Sequence, residues 1–228
     1  MDGNLALTIA AVEIVWLDLM LAGDGATDLA VATRALPHSR RLAVNLGGVL
    51  LMLSRAAFLL AALACAPLPG YGLFCAAALV FAAWLSARRG EAPPSGVTRP
   101  RALPGLLLAV AARDAPAAFV NMLAAQAAAQ GHRPLAALGF ALALPMIALG
   151  AAPFVGLLRQ PPLIWAGAAL LGWLAGRSAS ADALLAVSPM PADLLGDFAP
   201  PLGAALALLI VFLYLRRHNF KRLPEEEP

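Results

Sequence analysis

Runs of about twenty apolar residues recur from one end of this chain to the other, and that is the length a helix needs to cross the hydrocarbon core of a bilayer. Seven such runs can be read: Leu5 to Leu21, continuing in broken form to Ala35; Leu42 to Cys65; Tyr71 to Ala87; Leu103 to Ala125; Leu135 to Leu158; Leu163 to Gly176; and Phe198 to Leu215. Of the 228 residues, 61% are hydrophobic and 13% charged, where soluble domains carry about 45–50% and about 25%. Lipid offers backbone groups no partners, so spans of this kind must be helical. The expected fold is all-α, a polytopic membrane protein with the lipid bilayer as its first partner.

The connections carry breakers, as in "APLPG", "RRGEAPPSGVTRPR" and "RQPP". Lys and Arg are distributed unevenly among them. Arg34, Arg40, Arg41, Arg88, Arg89, Arg99, Arg101, Arg159, Arg216, Arg217, Lys221 and Arg222 fall on one side of a seven-span topology, and Arg133 and Arg177 on the other. Positive loops stay in the cytoplasm, so the C-terminus is expected there and the N-terminus outside. The first run has Asp2 in place of a basic n-region and is expected to stay as the first span.

The net charge of +3 comes from these short loops rather than from a basic patch with aromatics, which argues against a nucleic-acid partner. His38, His132 and His218 are scattered, and Cys65 and Cys75 flank a hairpin that sets them at different depths, so neither a His/Cys metal centre nor a disulfide is expected. No Ser/His or Cys/His pairing lies in the spans, which argues against an enzyme. No tightly bound cofactor is expected, and a homo-oligomer is compatible with the composition.

Against this background the stretch "LDLMLAGDGATDLAVA" is anomalous, because it sets Asp18, Asp24 and Asp28 in a membrane span. Ionisable groups cost several kcal/mol at the bilayer centre and are functional candidates when kept there. A counterpart, "RDAPAAFVNMLAAQ", places Asp114 at 96 residues from Asp18 (114 − 18) and aligns Val120 with Asp24 and Asn121 with Gly25. Each motif opens a unit of three spans, and an odd number inverts the second unit relative to the first. The expected organisation is a first three-helix repeat over 1–91, a cytoplasmic linker over 92–101, a second repeat over 102–178, an external loop over 179–197, a seventh helix over 198–216 and a cytoplasmic tail over 217–228.

These residues resemble the TerC family of bacterial integral membrane proteins, within the LysE-like exporter group. The family pattern in each repeat is Asp, five residues, then Asp-Asn; the chain keeps Asp18 and Asp24 in one copy and Asp114 and Asn121 in the other. "GGVLLMLSR", with Arg55 eight residues after Gly47, "AGAALLGWLAG" and "APPLGAALALL" extend the resemblance from about Leu5 to Leu215. Gly25 stands where the family shows Asn, Val120 where it shows Asp, and Arg177 where it usually shows Glu. The resemblance implies export of a divalent metal, manganese above all, through Asp18, Asp24, Asp114 and Asn121. The alternatives are export of a small organic solute and a non-transporting membrane scaffold subunit.

The chemistry of these groups suits that cargo, since hard divalent cations take carboxylate and amide oxygens. On an ideal helix Glu13, Asp24 and Asp28 share one stripe, and Asp114 and Asn121, seven apart, share another. Asp18 lies about 120° from Asp24, so both reach one site only if the helix is interrupted. Gly23 and Gly25 offer that interruption in the first copy, and Pro116 in the second. Glu13 and Asp28 can equally be interfacial charges, and a purely structural salt bridge of Asp18 or Asp24 to Arg55 is the lesser alternative. Alternatively, Arg55 neutralises an empty site. Met20 and Met122 read as packing rather than ligands.

Overall fold

A computed structural model describes residues 5, 7–17, 29, 40–89, 103–138, 141, 160–186 and 192–220, which are helical apart from short turns. The helices are α1 (Leu7–Leu17), α2 (Arg40–Cys65), α3 (Tyr71–Arg89), α4 (Leu103–Ala129), α5 (133–138), α6 (Pro161–Ser180), α7 (Ala183–Ala186) and α8 (Ala192–Phe220). Among the described residues, three stretches are long and apolar enough to cross a membrane: Leu42–Cys65, Leu103–Ala129 and Leu194–Arg217.

Each long helix separates a small-residue or polar inner face from an outer face of bare leucines. On α2 the inner stripe is Ala43, Gly47, Leu51, Arg55, Leu59 and Ala62, while Leu42, Leu46, Val49, Leu53 and Leu60 are exposed. On α8, Phe198, Leu202, Leu206, Leu209 and Leu213 are exposed, with Ala207 and Val211 turned inward. Exposed leucines at this density would aggregate in water, and in a bilayer they are the surface offered to lipid.

Helices meet where side chains are smallest. The most extensive contact joins α6 to α8. A Cβ added at Gly172 would collide with the carbonyl oxygen of Gly203 and come within 2.6 Å of Ala207 Cβ. One added at Gly203 would collide with Gly172 O and lie 2.8 Å from Gly176 N. The stretches "AGAALLGWLAG" and "APPLGAALALL" are therefore two halves of one seam, a small-xxx-small packing in which backbones touch. The next contacts in extent are α3 with α6 and α2 with α4, whereas α4 touches α3 and α6 more sparingly.

Several boundaries differ from expectation. The sixth helix runs over Pro161–Ser180 rather than Leu163 to Gly176, because Pro161 and Pro162 suit a first turn and the polar "RSAS" end simply continues the helix. α8 begins at Ala192, inside the segment expected as external loop, and passes through Pro200 and Pro201. A proline pair reads as a helix start, yet packing against a neighbouring helix lets the backbone run through it. α4 is likewise continuous through Pro116. The expected break in the second motif is absent there, since proline removes a single backbone bond and its ring is exposed on the outer side. Most of the fifth expected span lies outside the described residues.

Candidate functional site

The inner stripe of α2 places Arg55 against α4, whose own inner stripe runs through Leu106, Val110, Asp114, Ala117 and Asn121. Arg55 Nη2 lies 3.6 Å from Asp114 Oδ2, and neither side chain is exposed. The structure pairs Arg55 with Asp114, because α2 packs along α4 over much of its length; Asp18 and Asp24, the partners weighed from sequence, lie outside the described residues. Arg113, the adjacent cation, is exposed on the outer face of α4.

Asn121 is buried two turns beyond Asp114, about 10 Å along the same face. The shared face expected of these two residues is therefore present. Val120 is also buried, but within the apolar cluster that contains Met122 and Leu171. Met122 is completely buried and packs there, as expected.

Asp18, Asp24, Asp28, Gly23 and Gly25 lie outside the described residues. Their described flanks are both buried. Leu17 joins the cluster of Val120 and Met122, and Leu29 sits where a Cβ on Gly47 would strike it, with Leu107 of α4 also 3.2 Å from that Cβ. Among the described residues no three His, Cys, Asp or Glu side chains come together as a metal-binding group.

A second polar region occupies the end of the bundle where α2, α4 and α6 finish and α3 begins. It borders an open cleft of about 560 Å³ lined by Tyr71, Cys75, Gln126, Gln130, Arg177 and Ser178, with Pro67, Leu68 and Ala127 among its apolar neighbours. Arg177 Nη1 lies 3.4 Å from Glu13 Oε2, which joins α6 to α1. Gln130, at φ 49°, brings its side-chain amide against the same guanidinium. Tyr71 donates its hydroxyl hydrogen to Gln126 Oε1 at 2.8 Å.

Beside this cleft Asp182 is almost fully buried and accepts backbone N–H bonds from Leu184 (2.8 Å), Gly70 (2.9 Å) and Leu73 (3.1 Å). The Leu184 amide first, and then those of Gly70, Leu73 and Gly72, hold its carboxyl below the ordinary carboxylate range against the opposing effect of burial. Its local signal, an Asp just before "ALLA", was legible as a helix cap. Its long-range role at the start of α3 was not, and neither was the choice of Arg177 for Glu13.

The family model for the integral membrane protein TerC family matches residues 4–222. Neither the curated proteins nor the solved structures compared with the chain include a match to it.

Proposed function

The chain belongs to the TerC family of integral membrane proteins, and from that premise we propose that it exports a divalent metal cation, such as manganese, across the bacterial cytoplasmic membrane. The observation that supports this reading is Asp114, a carboxylate held without exposure on α4 and balanced by Arg55. A buried charge of this kind is costly in a membrane and is retained where ions bind or move.

In this reading Asp114 and Asn121 supply one half of the path, and Asp18 and Asp24, supported by Asp28, Gly23 and Gly25, supply the other. Arg55 is the counter-charge of the empty site and is displaced when the cargo cation arrives. The chain crosses the membrane seven times as two inverted three-helix units and a last helix, with the N-terminus outside and the C-terminus in the cytoplasm. The metal is cargo, and the protein carries out no covalent chemistry on it.

Manganese flux into or out of proteoliposomes tests this directly. Wild-type protein moves manganese down an imposed gradient, and Asp114→Asn and Asp24→Asn each abolish the flux. Undiminished flux in both variants, at equal incorporation, would remove the carboxylates from the path.

A further inference from the structure

We propose that the groove between α2 and α3 is a binding site for one acyl chain of a membrane phospholipid, separate from the Arg55–Asp114 pair and independent of the cation reading. The two helices are joined by the short turn "APLPG", yet they hardly touch each other, and each packs on α4 instead. Their splay leaves an open cleft of about 330 Å³ with α2 and α3 as its walls and α4 as its floor. Ala61 and Cys65 line one wall, Tyr71 and Phe74 the other, and Phe119 and Leu123 the floor. The ring of Phe119 rests against both walls, its centroid 5.5 Å from that of Phe58 on α2 and 6.2 Å from that of Phe74 on α3.

What fills this groove follows from where it opens. Leu60, Leu68 and Phe74 around its mouth are exposed and continue the leucine surface that the protein offers to lipid. Apolar space of this kind does not hold water, and left empty it forfeits the dispersion contacts of its lining. A lipid tail is as apolar as leucine and enters from the bordering bilayer without desolvating any polar group. The floor shows the same route from the inside: between Ala117 and Ala125 every residue of α4 is buried except Phe119, which is partly open. The groove is thus the way by which the bilayer reaches this part of α4.

A chain lying there meets protein on three sides, whereas one lying on the leucines of α8 meets it on one, and the added contact is what makes the groove a site. Recognition is of the chain and not of the headgroup. Among the described residues no charged side chain lines the groove, and the Tyr71 hydroxyl is already engaged with Gln126. Phospholipids whose headgroups differ in charge therefore bind alike.

Photo-crosslinking of the full-length protein in liposomes of phosphatidylethanolamine and phosphatidylglycerol, with a trace of either lipid carrying a diazirine in one acyl chain, tests this. Mass spectrometry finds an adduct on Phe119 whichever headgroup bears the diazirine chain, beside the labelling expected on the exposed leucines of α8. Ala61→Phe, which fills the groove from the α2 wall, cuts the Phe119 adduct about tenfold, as expected when about two methylene groups lose their burial. Labelling of α8 stays the same. Alkylating the exposed Cys65 of the folded wild type with N-cyclohexylmaleimide acts likewise and serves if Ala61→Phe does not fold, since Cys75 is buried. Labelled leucines on α8 with Phe119 bare overturn the proposal and leave the groove to a second copy of the chain. A Phe119 adduct unchanged by both blocks, or one obtained with a single headgroup only, overturns it as well.

Discussion

Arg55 and Asp114 meet at 3.6 Å across the contact between α2 and α4 with both side chains sealed from solvent, so rotating either helix about its axis would strand a charge in the apolar interior. The pair fixes the mutual orientation of the two helices as well as supplying a carboxylate.

These two roles separate in a double-mutant cycle. Asp114→Asn leaves the Arg55 charge buried and should lower stability by about 3–5 kcal/mol, and adding Arg55→Gln should recover most of that loss. Flux should remain absent in the recovered double variant. Unfolding in detergent and manganese flux on the same preparations measure both; a stable double variant with full flux would make the pair a strut.

The α6–α8 seam should tolerate no side chain where the backbones touch. Gly172→Val forces Gly203 and Ala207 apart and should cost about 1–3 kcal/mol, the usual range for overpacking. Gly196→Ala in α8 meets nothing within 4 Å and should leave stability unchanged or raise it by about 0.5–1 kcal/mol. Thermal unfolding of the two variants side by side gives the contrast.

Much of this architecture was legible as spans. The ends of α2 and the starts of α3 and α4 follow the apolar runs closely, because length and hydropathy alone decide where a helix can sit in lipid. Of the ends that were misplaced, Arg177 to Ser180 carries a polar residue whose partner is far away in sequence, as does Asp182 just beyond it. Asp182 bonds to Gly70 and Leu73, and Arg177 to Glu13, over more than a hundred residues. Helical spacing likewise put Asp114 and Asn121 on one face but held no information on which helix would face them, so the pairing of Arg55 with Asp114 was not legible. The first motif's Asp18, Asp24 and Asp28 lie outside the described residues, and their place in the site remains part of the proposal.

Asp182 carries a dependence on acidity. Its carboxyl is held below the unfolded value of about 3.9, so the stability it contributes is fully present above that value. It is lost as the pH falls through the lower, folded value. Asp182→Asn should lower the melting temperature near neutral pH and flatten its decline below about pH 4, as read in detergent by thermal unfolding.

The topology can be checked without reference to function. A reporter fused after Arg222 should read cytoplasmic, and one inserted between residues 186 and 192 should read external. Both on one side would remove the seven-span arrangement.

The Asp182 clamp and the glycine seam together have a mechanical consequence. Where two backbones touch with no side chain between them, sliding has no rotamer to absorb it and opens an empty gap instead. Asp182 adds a tie between the end of α6 and the start of α3. Among the described residues, α3, α6 and α8 are the most closely joined frame. The sparser contacts of α4 with α3 and α6 are where α2 and α4, held together by the Arg55–Asp114 pair, can shift as a unit against that frame.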